Sequence, residues 1–381
     1  MEIDDYKFTK SHTEIAKGIA ILLMICFHLF GFPNRILNVD YISIVPLTQG
    51  HYEYLLGRFG YICVPIFLFL SGYGLYLSYM KKNKFTFLDA LTKGKSFLLN
   101  YWMVFILFVP IGLIWFHNSN RYSWNFYVFI SNFFALNSSY NSEWWFARLY
   151  IELVLLFPII KHFLSKNNIY IVSTSLLLCI LQSKFDMLFK IQPQLLFIKK
   201  SIFYNDIVNI LLWQIVFVMG CLIAKHNLFK VTNMYLKQYK LEKNVLQIFF
   251  VLIIIIAGIK IPNLINISPT YVAILITPIF VLLSTNVINV SIIKYIFIVL
   301  GKHSGNMWLT HTFFAYYYFQ KIVFYPEFSV IIVIWVCLLS ITSSIIIKAI
   351  SSRLYNITHY LNFKIKKQYT LIKRIIRCVI V

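Results

Sequence analysis

Apolar residues along the chain gather into ten runs that approach or reach membrane-crossing length: 14–32, 60–80, 96–116, 146–164, 168–183, 207–224, 245–260, 269–286, 303–323 and 328–350. A helix needs about 20 such residues to cross a hydrocarbon core of about 30 Å. Inside lipid every backbone N–H and C=O must be satisfied within the segment, so runs of this length are helices. The pattern predicts an all-α fold, a polytopic transmembrane helical bundle of about ten spans. Residues 1–350 form the membrane domain, and 351–381 a short basic, amphipathic tail that rests on anionic lipid. The first run is long and lacks a small-residue cleavage site, which predicts a retained helix and not a signal peptide. No internal repeat is visible, which speaks against a transporter built from inverted repeats.

Charge then orients the bundle. Of 381 residues, 60% are hydrophobic and 13% charged, against about 25% charged in a soluble domain. The net charge of +22 would suggest nucleic acid in a soluble protein. Here the lysines collect in alternate loops and at the tail, so no nucleic-acid partner is expected. Segments on the side of the termini carry 24 Lys and Arg, and those on the other side carry 9. The positive-inside rule makes this a multi-pass cell-membrane protein with both termini cytoplasmic. Segment 184–206, with Lys184, Lys190, Lys199 and Lys200, runs against the bias: either it folds back into the protein, or the number of spans differs there. The six cysteines show no CxxC and no metal-ligand spacing; they read as small hydrophobes, and no metal is expected.

Two outer segments are longer than connection requires. Segment 117–145 is rich in aromatics and asparagine, from Trp124 and Tyr127 to Trp144 and Trp145. Its apolar part, 124–136, is too short to span. Its aromatics read either as a membrane-interface belt or as a stacking surface for sugar rings. Segment 184–206 is the other candidate lid.

Candidate chemistry lies on four spans. In the first, Lys17 and His28 are eleven residues apart, three turns plus about 20°, so they share one face about 16 Å apart along the axis. Glu14 stands one turn before Lys17 on that face. A histidine in an apolar helix is either bonded to neighbouring backbone or faces a polar cavity; the stacked charges favour the cavity. Span two opens with Arg58 and carries Pro65, expected to kink it, and Ser71, Gly72 and Gly74, small residues that either admit a close neighbouring helix or line a cavity. Span four carries Arg148 and Glu152, an i,i+4 pair read as a structural lock. Span nine holds Ser304 and His311 on one face, with His303 at the cytoplasmic edge. No GxSxG, P-loop or HExxH occurs.

These stretches together resemble the integral-membrane acyltransferases of family 3, which O-acetylate cell-surface polysaccharides. Glu14, Lys17 and His28 take the places of the family's acidic residue, basic residue and histidine, with lysine where arginine is commoner. That keeps the charge and loses the planar fork. The stretch from Val64 and Pro65 to Ser71-Gly72-Tyr73 is similar to the family's Ser-Gly-Tyr span. Trp145 and Pro158 resemble its Trp–Pro span, although Tyr150 and Ile151 stand where some members have a Glu pair. Ser304 through His311 resembles its late Ser…Leu-x-His motif. Some members carry a C-terminal esterase-like domain; none is expected here.

The resemblance implies an O-acyltransferase that moves an acyl group, foremost acetyl from acetyl-CoA, onto a hydroxyl of a capsule-like exopolysaccharide or its lipid-linked precursor. Membrane lipid is the surrounding partner. The expected catalytic set is His28, Glu14 and His311, with His28 as general base or acyl carrier and Glu14 positioning Lys17. The expected substrate-binding set is Lys17 on the CoA phosphates, with Arg58, Ser71 and Arg148 orienting the acceptor or stabilising an oxyanion. A transporter or flippase for a lipid-linked sugar, and a membrane sensor, are the alternatives.

Overall fold

The computed structural model describes residues 7–37, 39–45, 51–201 and 203–379, without the side chains of Asp186, Lys200 and residues from 355 on. The tail's basic side chains therefore lie outside the described residues. The described residues are mostly helical: α1 (Lys10–Phe30), α2 (Tyr52–Phe59), α3 (Cys63–Lys82), α4 (Phe87–Trp115), α5 (Phe126–Phe133), α6 (Trp145–Lys166), α7 (Asn168–Ile191), α8 (Tyr204–Lys225), α9 (Leu228–Gln238), α10 (Asn244–Leu264), α11 (Pro269–Val287), α12 (Ser291–Thr312), α13 (Gln320–Phe324) and α14 (Ser329–Val379). Nine of the ten predicted spans fall on a long helix of this set; the other, 303–323, begins inside α12 and runs past its end into α13.

Among the described residues, eight stretches are long and apolar enough to cross a membrane: α1, the run Tyr52–Lys82, α4, α7, α8, α10, α11 and Ser329–Leu354 of α14. The two that fall short, α6 and α12, have 22 residues each and are interrupted by Arg148, Glu152, Lys294, Lys302 and His303. Polar side chains in a spanning helix are tolerated where they face other protein or a cavity, and both helices pack inside the bundle. Helix α12 packs on α1, α14 and α4, and α6 on α4 and α8. The lipid-facing surface is carried by helices such as α10 and α14, whose Ile253, Ile256, Ile334 and Leu338 are exposed.

The closest backbone approaches are made by glycines. A Cβ on Gly301 would run into the Glu14 carbonyl, and one on Gly18 into that of Phe297. Helices α1 and α12 thus lie in direct backbone contact along an extensive interface. Gly72 and Gly220 do the same for α3 and α8.

Several boundaries differ from expectation. Span nine starts at Ser291 and not at 303, because Gly301 is a packing contact and not a break. It ends at Thr312, where five residues of π-turn, Phe313–Tyr317, widen the chain. His303 therefore lies within α12, one residue past Lys302, and its Nδ1 is 2.8 Å from Ser344 Oγ. Pro65 sits in the first turn of α3, after the 3-10 turn Gly60–Ile62, and marks the joint with α2 instead of kinking a continuous helix. Helix α7 runs on to Ile191, and Pro193–Lys200 then folds into 3-10 turns before α8. The apolar part of segment 117–145 forms the short α5, with Phe126 and Tyr127 exposed. Helix α14 continues without a break past residue 350.

Candidate active site

Two buried histidines meet at the far ends of α1 and α12. The contact of Glu14 with Gly301 at one end and of His28 with His311 at the other aligns the two helices in the same direction. The His28 and His311 rings have centroids 5.0 Å apart, and both are buried. His311 Nδ1–H donates to the carbonyls of Trp308 (2.8 Å) and Met307 (3.1 Å). Those two acceptors assign the tautomer, so Nε2 keeps its lone pair, and it has no hydrogen-bond partner.

His28 faces a carboxylate that sequence reasoning missed. Glu143 Oε2 stands 3.6 Å from His28 Nε2, and its Oε1 accepts a 2.7 Å bond from Arg35 Nη1. Glu143 sits in the 3-10 turn Ser142–Trp144 that leads into α6. The Asn141 side chain holds that turn, accepting from the Glu143 N–H at 3.1 Å and donating to Thr312 Oγ1 at 2.8 Å. Trp144 Nε1 locks the next residue by donating to the Leu309 carbonyl at 3.0 Å. Burial works against the Arg35 charge, and the Glu143 carboxylate, together with Tyr316 and Tyr317, offsets it, leaving the guanidinium above the ordinary arginine pKa. With Nε2 beside Glu143, His28 Nδ1 is the nitrogen without a partner.

The widened turn after α12 closes the site. Three successive tyrosines reach three different elements. Tyr316 OH donates to the His28 carbonyl, Tyr317 OH accepts from Ser142 N at 3.3 Å, and Tyr318 OH donates to the Phe108 carbonyl at 2.9 Å. A regular α-helix would turn these side chains by equal 100° steps about one axis; π-turns recur at functional sites for this kind of re-aiming.

At the opposite end of α1 lies a cavity of about 750 Å³. Lys10, Lys17, Lys93, Lys302 and Lys348 converge on it, with Glu14, Ser71 and Ser304. Glu14 Oε1 is 3.6 Å from Lys17 Nζ, while its Oε2 is buried without a partner. The inner wall is aromatic: Phe97, Phe146, Tyr150 and Trp308. Trp308 is also the residue whose carbonyl holds His311, so one turn of α12, about 5 Å, separates the cavity wall from the histidine pair.

Of the expected residues, the structure brings Lys17, Ser71 and Glu14 to one cavity, and His28 and His311 to each other. It does not bring Glu14 to the histidines: fourteen residues of α1 separate them, about 21 Å. Nor does it bring Arg58 or Arg148 to the lysine-lined cavity. Arg148 lies on the other face of α6, in a pocket of about 490 Å³ between segment 127–138 and segment 199–209, and Arg58 lines neither space. Arg148 is locked as expected to Glu152 (Nε–Oε1, 3.1 Å), and also to Asp206 (Nη2–Oδ2, 2.7 Å). Among the described residues no group of three or more His, Cys, Asp or Glu has a metal-holding arrangement.

Residues 13–349 match the family described as an acyltransferase domain. The chain belongs to acyltransferase family 3. The match runs from the first turn of α1 into the span of α14, and so takes in the histidine pair and every residue lining the two cavities except Lys10. No curated protein and no solved structure matches the acyltransferase. The signal that would have found Glu143 is composition: it is one of only 13 acidic residues, and it stands directly before Trp144-Trp145 at the head of a span.

Proposed function

We propose that the protein transfers an acyl group, foremost acetyl from acetyl-CoA, to a hydroxyl of a cell-surface polysaccharide or its lipid-linked precursor, with His28 as the general base. The observation that carries this reading is the buried His28–His311 pair with Glu143 against His28, one helical turn beyond a lysine-ringed cavity. Phosphate groups suit that cavity: five ammonium groups converge, and among the described lining residues Glu14 alone opposes them. Lys10, Lys17, Lys93, Lys302 and Lys348 would hold the phosphates of CoA, and Glu14 would steer Lys17. The aromatic wall suits the thin, largely apolar arm that leads to the thioester. Bound acetyl-CoA supplies the activated acyl group.

The histidines would then divide the proton work. Glu143 beside Nε2 keeps that nitrogen protonated, so His28 Nδ1 takes the proton of the acceptor hydroxyl as the ester bond forms. Glu143 stabilises the resulting imidazolium, and the proton leaves on the thiolate as the C–S bond breaks. His311 Nε2, held by the Trp308 and Met307 carbonyls, is a second lone pair at the same point. Family membership favours this reading over a flippase or a sensor. The lysine-rich end of the bundle would face the cytoplasm, where acetyl-CoA is made, with both termini on that side.

The test uses membranes with labelled acetyl-CoA and total cell glycan, comparing wild type with His28→Ala at matched expression. Label in wild type that vanishes in the variant is the expected result. Equal label in both would remove His28 from the chemistry; no label in wild type across a range of glycans would refute the acyl-transfer reading.

A further inference from the structure

The pocket around Arg148 plays no part in holding the donor or in moving the proton. It measures about 490 Å³, within the range of about 300–1,000 Å³ typical of small-ligand sites. It lies at the histidine end of the bundle: Trp144 forms part of its wall, bonds to the carbonyl two residues before His311, and adjoins Glu143. Helix α6 separates it from the lysine-lined cavity. Phe146 and Tyr150 line the one, Trp145 and Arg148 the other, and at 100° per residue these pairs project to nearly opposite faces of the helix.

The pocket's chemistry differs from that of the lysine cavity. Its charges are Arg148, Asp206 and Lys199, and Glu152 pairs with Arg148 from behind. Among the described side chains two cations stand against two carboxylates, where the lysine cavity has five ammonium groups against one carboxylate. The Arg148 guanidinium is fixed on three sides, by Glu152, by Asp206 and by the Leu136 carbonyl at 3.0 Å. Around these fixed polar groups stand the flat side chains of Tyr127, Trp145 and Phe203. Immobile paired charges next to aromatic faces fit a neutral polyhydroxylated ring, which offers apolar C–H faces for stacking and hydroxyls for charge-assisted bonds.

We infer that this pocket is the subsite that seats a neutral sugar residue of the acceptor, opposite the donor cavity across α6. The inference rests on the acyl-transfer reading and adds where the glycan binds. Donor and acceptor would thus approach the histidine pair from separate cavities on the two faces of one helix, and Trp144 and Glu143 stand where that helix begins.

The experiment measures transfer from labelled acetyl-CoA to the host cell's own envelope polysaccharide after its esters have been removed with mild base. Tyr127→Ala and Phe203→Ala are the variants; both side chains are largely exposed, at 61% and 63%, so neither truncation leaves a hole in the core. Each is expected to raise the acceptor KM about fivefold, the size of one lost stacking contact, with the acetyl-CoA KM unchanged. Acceptor KM values unchanged in both variants, with active wild type, would overturn the subsite and leave the acyl-transfer reading standing. Both KM values rising together would assign the aromatics to the membrane interface and overturn the subsite as well. Wild type without transfer would overturn the acyl-transfer reading and the subsite with it.

Discussion

Glu143→Gln isolates the charge that the structure places against His28. The substitution keeps the shape and the Asn141-held turn and removes one negative charge. Across the 3.6 Å from Glu143 to His28 Nε2, a full charge pair is worth about 4–5 kcal/mol at an effective dielectric near 20. Both side chains are shielded from solvent, 6% and 12% exposed, so little of this is lost to water. Arg35, closer to Glu143 at 2.7 Å, already draws on the same carboxylate. Allowing it about half leaves roughly 2–3 kcal/mol for the imidazolium that forms in the transition state, or about 30- to 150-fold in kcat. The lysine cavity is at the other end of α1, so the acetyl-CoA KM should not move. The assay is initial-rate acetyl transfer in membranes, with Glu143→Asp as the variant that restores the charge. A Glu143→Gln enzyme within threefold of wild-type kcat would refute the assignment of Glu143 to His28. It would leave that residue as an anchor for Arg35.

Two further predictions concern the other end of α1. Lys17→Ala should raise the KM for acetyl-CoA about three- to tenfold with kcat little changed, the effect of one partly solvated point charge on phosphate, and the difference should shrink as salt is added; a KM equal to wild type would remove Lys17 from the phosphate site. Gly301→Val should lower stability in detergent by about 2 kcal/mol or more, because the new Cβ meets the Glu14 carbonyl and forces α1 from α12. Gly305→Ala, where nothing lies within 4 Å of the added carbon, should be neutral in the same thermal unfolding measurement.

Local periodicity makes much of this protein legible in its sequence. Ten apolar runs mark ten long helices, and helical spacing alone puts Glu14 and Lys17 on one face of the first. That face does border a cavity, and His28 on its far end does meet polar company. The Arg148–Glu152 lock follows from i,i+4 spacing in the same way. These features depend on residues within a few turns of one another, where the 3.6-residue repeat dictates who is neighbour to whom.

What needs the tertiary structure involves residues far apart in the chain. His28 and His311 are separated by 283 positions, and no periodicity relates them; backbone contact at Gly18 and Gly301 sets the depth at which their rings meet. Glu143 comes from a connecting segment, where sequence carries no repeat to follow, and its aim depends on Asn141 reaching Thr312. The start of α12 is hidden in the sequence because a glycine followed by polar residues looks like a helix break in one dimension. In three dimensions Gly301 is the surface on which α1 rests, and Lys302 and Ser304 turn to the cavity. Arg148 and Lys17 are alike in one dimension, both cations in apolar spans. Packing puts α6 between two cavities, and that wall, which no single helix encodes, decides which substrate each residue can touch.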